Sequence, residues 1–102
     1  MKNKELDNLR SKINNIDDEI LSLLSNRSKI VLEIGKHKKD NSVVDPDREQ
    51  KILDRLSAKF TGSYSKDTIV RLWREIFQSS EKLQKLSKES IQSKRSIENI
   101  NA

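Results

Sequence analysis

Five polar residues stand where the surrounding pattern calls for apolar ones: Arg27, Lys38, Glu49, Ser80 and Gln84. Gathered in one place they would supply two cations, a carboxylate, a hydroxyl and a neutral amide. They include no nucleophile–base pair, and the chain has no phosphate-cradling glycine loop and no dinucleotide fingerprint. A pocket lined this way would act on a small anion through shape and fixed electrostatics. Each residue also has a local explanation. Arg27 could pair with an internal acid and Lys38 could extend into water at a helix end. Glu49 could complement a helix dipole at the surface, and Ser80 with Gln84 could mark a fraying helix end. Taken one by one, these explanations stand; that all five residues interrupt apolar stripes argues for convergence.

The first element that must position them runs from Leu6 to Lys38, a stretch without proline whose only glycine is Gly35. Leu6, Leu9, Ile13, Ile16, Ile20, Leu23, Ile30 and Ile34 recur at alternating spacings of three and four, interrupted at Arg27. This is an amphipathic helix with a coiled-coil-like seam. Lys38 follows Arg27 by close to three helical turns, which puts the two cations on nearly one face, about 16 Å apart along the axis. A helix of this kind reaches roughly 54 Å, whereas a compact globule of this chain length has a radius of gyration near 13 Å. Leu24, Val31 and Leu32 widen the apolar stripe, so the helix needs neighbours on more than one side. Self-association, each subunit covering the other's overhang, is the expected solution.

Lys39 to Val44 breaks the period and reads as a connection. Asp45-Pro46 then reads as a helix start, with Asp45 as N-cap and proline at the first helical position. This second helix is expected from Pro46 to about Lys59, with Ile52, Leu53, Leu56 and Phe60 facing inward and Glu49 pointing inward in its first turn. Thr61-Gly62-Ser63 supplies a turn, and Ser65 a cap for a third helix carrying Ile69, Leu72, Trp73, Ile76 and Phe77. Ser80 and Gln84 continue that stripe as a pair four residues apart. Residues 1 to 5 read as a charged lead-in. Residues 87–102, rich in Ser, Lys and Asn, read as a polar tail or an extension of the helix, which leaves residues 1–86 as the domain.

Composition sets the class. Only 32% of the 102 residues are hydrophobic and 36% are charged, so it is the regular periodicity that argues for folding. Two glycines and one proline leave little turn material, which points to an all-α class; with the overhang of the long first helix, the expected fold is three helices in an intertwined helical homodimer. The formal net charge of +5 suits a small anion better than nucleic acid, because basic residues are interspersed with acids and no aromatic repeat is present to stack bases. Cysteine is absent and histidine occurs once, so thiolate chemistry is excluded and a metal site is not expected. The N-terminus lacks an apolar signal core and no apolar run nears 18 residues, so a cytoplasmic protein without membrane partners is expected.

The chain resembles the all-helical class of chorismate mutases. The resemblance rests on Leu9-Arg10 with Ile13, Ile16-Asp17, and Leu23-Leu24 before Arg27. It continues through Ile34-Gly35-Lys36 followed by Lys38, then Asp45-Pro46-Asp47-Arg48-Glu49, then Ser80 with Gln84, and covers about residues 5 to 86. It implies rearrangement of chorismate to prephenate without a cofactor or covalent intermediate. By resemblance, Arg10 and Arg27 pair with the substrate carboxylates, helped by Arg48 and Ser80. Lys38 and Gln84 donate to the ether oxygen, and Glu49, with Asp45 nearby, accepts from the ring hydroxyl. Arg10 lies about 100° around its helix from Arg27, which agrees with the family arrangement in which this arginine enters the partner's pocket. Two alternatives remain: an isochorismate-pyruvate lyase of the same fold, and a non-enzymatic dimeric helical module that binds a protein or RNA.

Overall fold

The computed structural model describes residues 3–38 and 45–101, with side chains described through Lys88. Its elements are three α-helices: α1 (Lys4–His37), α2 (Pro46–Lys59) and α3 (Lys66–Asn101). The expected connection from Lys39 to Val44 lies outside the described residues. The chain divides into two units at the Val31–Leu32 boundary, which falls within α1.

Helix α1 starts two residues before the first apolar position because Asn3 caps it. The Asn3 side-chain oxygen accepts from the Leu6 N–H at 3.1 Å, and its carbonyl accepts from the Asp7 N–H, also at 3.1 Å. Glu5 and Asp7 in the first turn, with Lys36 and His37 in the last, complement the helix dipole. The expected seam is present but uncovered in the single chain. Its eight residues are all exposed, from 41% for Leu6 to 66% for Leu23, and Val31 is the one buried residue described on α1.

Helix α2 begins where the sequence places it. The Asp45 carboxylate accepts from the Arg48 N–H at 3.1 Å and Pro46 occupies the first helical position. The helix ends at Phe60, whose extended backbone closes the last turn with a 2.9 Å bond from its N–H to the Leu56 carbonyl. The Phe60 ring folds over Gly62, where a Cβ would lie only 2.7 Å from the ring's Cζ. A side chain at position 62 would therefore require the half-buried Phe60 ring to shift.

Ser65 caps α3, its hydroxyl oxygen accepting from the Thr68 N–H at 3.1 Å. Helices α2 and α3 pack together, and the buried apolar residues of this unit are Leu53, Ile69 and Phe77. Each such burial stabilises by about 1.5–3 kcal/mol relative to exposure. Leu72, expected in the inner stripe, is half exposed instead; Ile69, Trp73, Ile76 and Phe77 carry the packing. Helix α3 runs without a break past residue 86. No described helix is long and apolar enough to cross a membrane.

Candidate functional site

Gln84 is the single buried polar residue among those described, only 6% exposed on a helix that turns mostly polar beyond Phe77. Its position four residues past Ser80 does not mark a fraying end, because a frayed turn would be solvated. The side chain packs against α1 at Gly35: a Cβ built there would lie 3.5 Å from Gln84 Cγ and 3.6 Å from its amide nitrogen. Leu32, Gly35 and Lys36 of α1, with Gln84, Ser87 and Lys88 of α3, line a small cavity at this contact. Lys36 is held on its outer side by Glu33 at 3.5 Å. Gln84 thus brings a neutral amide to the lining of this cavity, whose nitrogen is a donor at any pH.

A second cluster forms around Glu49 on the first turn of α2. Its side chain is half-buried, and its carboxyl pKa is raised from the ordinary value of 4.5. Burial is the largest cause; the charges of Glu81 and Asp45 act in the same direction, and Arg74 opposes them. Glu49 therefore faces inward, as its place before the Ile52–Leu53 stripe requires. Asp45 and Arg48 stand in the same turn, joined through the N-cap bond, and both side chains reach solvent.

Ser80 lies on α3 about one turn before Gln84. It is half-buried, and its hydroxyl donates to the Ile76 carbonyl at 2.7 Å. To donate to a ligand carboxylate, that hydroxyl must rotate away from its own helix. Lys38 lies one residue beyond α1, so its direction is not set by helical projection from Arg27; it is half-buried. In the first unit, Arg27 is half-buried and Arg10 fully exposed. Seventeen residues of helix separate these arginines by about 25 Å, so one chain cannot bring both to the same small ligand.

The structure thus gathers Asp45, Arg48 and Glu49 at one helix start and sets Ser80 and Gln84 on a single face of α3. Arg74, Glu81 and the Lys36–Ser87–Lys88 rim were not anticipated from sequence. The legible signal was the seven-residue spacing of Arg74, Glu81 and Lys88, which stacks three charges on the face that also carries Phe77 and Gln84. Among the described residues, no three His, Cys, Asp or Glu side chains could share a metal ion. What the arrangement can do is bind a polar anion and hold donors and an acceptor in fixed places.

A three-helix chain with a long first helix and this pocket chemistry defines an all-α small-molecule site, and comparison with known proteins gives the family. The chorismate mutase type II family model matches residues 9–85, and the chain belongs to that family. It is 33% identical over 88 residues to the bifunctional chorismate mutase/prephenate dehydratase of Aquifex aeolicus, covering 80% of this chain and 24% of that protein. To the same-named protein of Neisseria gonorrhoeae it is 36% identical over 67 residues, 66% of this chain and 18% of the relative. The chain thus spans about a quarter or less of the length of these curated relatives.

Among solved structures, the chorismate mutase of Helicobacter pylori in complex with prephenate matches with a TM-score of 0.79 and 32% identity. That match covers 85% of this chain and 97% of the other. Form II of the Thermus thermophilus chorismate mutase matches with a TM-score of 0.75 and 35% identity, over 79% and 94% of the two chains.

Proposed function

We propose that this chain is a chorismate mutase, converting chorismate to prephenate in aromatic amino-acid biosynthesis, and that it works as a homodimer in the cytoplasm. The observation that carries the reading is the burial of Gln84, a neutral donor held out of water on a helix face with Ser80. Family membership supplies the substrate class.

The substrate is a dianion with an ether bond that breaks as a carbon–carbon bond forms. Arg10 and Arg27, with Arg48 and Ser80, hold the carboxylates so that the enolpyruvyl side chain lies over the ring in a reactive conformer. Negative charge grows on the ether oxygen as its C–O bond opens. Donation there by Gln84 and Lys38 lowers the transition state more than the ground state. Glu49 accepts from the ring hydroxyl and, with Asp45, fixes the ring's orientation. No proton need leave the protein.

The dimer has two supports. The α1 seam is exposed along its whole length in one chain, and a contiguous apolar face of that extent marks an interaction surface. The separation of Arg10 from Arg27 along one helix supports the same reading, since two arginines serving one ligand would then come from two chains. In this reading Arg10 enters the partner's site, giving two composite sites per dimer.

Incubation of the purified protein with chorismate, with product identification, tests the proposal. Prephenate formation, lost in folded Arg27→Ala and Gln84→Ala proteins, is the expected result. Pyruvate released from isochorismate without chorismate turnover would instead assign the lyase. Salt-dependent RNA binding with neither reaction would assign the interaction module.

A further inference from the structure

Glycine weakens a helix interior relative to alanine, so Gly35, two residues before the end of α1, calls for a reason. Backbone conformation is not the reason, because no described glycine has a positive φ and any residue could adopt this one. Space is. The three atoms nearest to a Cβ at Gly35 all belong to Gln84: Cγ at 3.5 Å, and Cδ and Nε2 each at 3.6 Å. A Cβ would thus stand in ordinary van der Waals contact with Gln84, and a longer side chain would extend into the volume of its carboxamide.

We infer that Gly35 is the positioning residue for Gln84: by lacking a side chain, it lets the α1 backbone act as the wall that holds the buried amide in its donating orientation. A methyl group would meet the amide in ordinary van der Waals contact. Anything longer competes with it for the same volume, and Gln84 has to turn. The cavity rim of Leu32, Lys36, Ser87 and Lys88 surrounds this contact, so the displaced amide would also change the shape of the pocket.

The kinetic arm of the test rests on the mutase reading. Gly35→Leu, a good helix former, should lower kcat about tenfold or more with a much smaller change in KM. In a Gln84→Ala background the same substitution should change kcat by less than about twofold, because the group it displaces is gone. A general structural defect would lower activity equally in both backgrounds, and that result would overturn the inference.

The second arm needs no turnover. In protein carrying nitrogen-labelled glutamine, the Gln84 side-chain amide is identified by its disappearance in Gln84→Ala. In Gly35→Leu it should shift and lose protection from solvent exchange while the Gln50 and Gln78 signals stay in place. An unmoved Gln84 signal in folded Gly35→Leu would overturn the inference. Should Gly35→Leu fail to fold, Gly35→Met, whose unbranched chain also extends past the methyl that fits, decides by the same signal, and Gly35→Ala, whose methyl fits in ordinary contact, should leave it in place. Wild-type protein that leaves chorismate unchanged would sink the mutase reading alone, and the amide signal would still decide the role of Gly35.

Discussion

The charge of Glu81 on α3 raises the pKa of Glu49 on α2, adding to the effect of burial, while Arg74 on the same face of α3 acts against it. Glu49 therefore holds its proton more tightly in the folded chain than in the unfolded one. Folding is favoured most while both states are protonated, and this contribution is lost as pH rises through the carboxylate range. Glu49→Gln, which keeps the shape without the charge, should raise Tm relative to wild type at pH 7 and by less at pH 4. Thermal melts of both proteins at the two pH values check this. An equal Tm difference at both would contradict the direction of the shift.

Gln84→Glu puts a titratable group in the most buried polar position among the described residues. Glutamate donates only when protonated, and burial of that side chain holds its pKa up. The expected profile of kcat/KM is greatest at acid pH and falls toward neutrality, whereas the wild-type amide gives no such limb. Full activity of the variant at pH 7.5 would remove Gln84 from the donor role.

Arg10 and Arg27 lie too far apart along α1 to serve one small ligand from one chain. Mixing inactive Arg10→Ala with inactive Arg27→Ala protein should restore activity, because a heterodimer holds one site with both arginines intact. At equal mixing about half the dimers are heterodimers with one working site, so recovery approaches a quarter of wild type. No recovery, with subunit exchange verified, would mean that Arg10 acts in its own subunit or not at all.

Asp45 has two separable parts to play. As N-cap it accepts from the Arg48 N–H, and Asp45→Ala should cost about 1 kcal/mol of stability. Asp45→Asn keeps a capping oxygen and removes the charge, so its stability should stay within about 0.5 kcal/mol of wild type. Urea unfolding of the two variants measures the cap. Their turnover of chorismate measures what the charge adds near Glu49.

Much of the fold was legible because the devices that set helix boundaries are local. Asp45-Pro46 fixed the start of α2, and Ser65 that of α3. The start of α1 was placed two residues late because Asn3, a good cap, sits within a charged stretch that carries no apolar period. Leu72 was assigned to the core because period alone cannot tell the centre of a stripe from its edge. Glu49, Ser80 and Gln84 could be read as facing inward because each is a polar residue on an apolar stripe, and none of the three is fully exposed. Glu81 and Arg74 were missed although their seven-residue spacing puts them on the face of Phe77 and Gln84, because spacing alone does not say whether a second helix packs beside that face.

By itself the sequence determined three helices, their caps, the apolar seam of α1 and the set of polar groups available for an anion, all of which follow from neighbours within about two turns. Only the tertiary structure decided how deeply Gln84 is buried, that Gly35 is the wall it rests on, and that Glu81 and Arg74 act in opposite directions on Glu49. Those facts depend on which faces of separate helices meet. Burial and electrostatic coupling between residues far apart in the chain are properties of that meeting, and no local pattern encodes them.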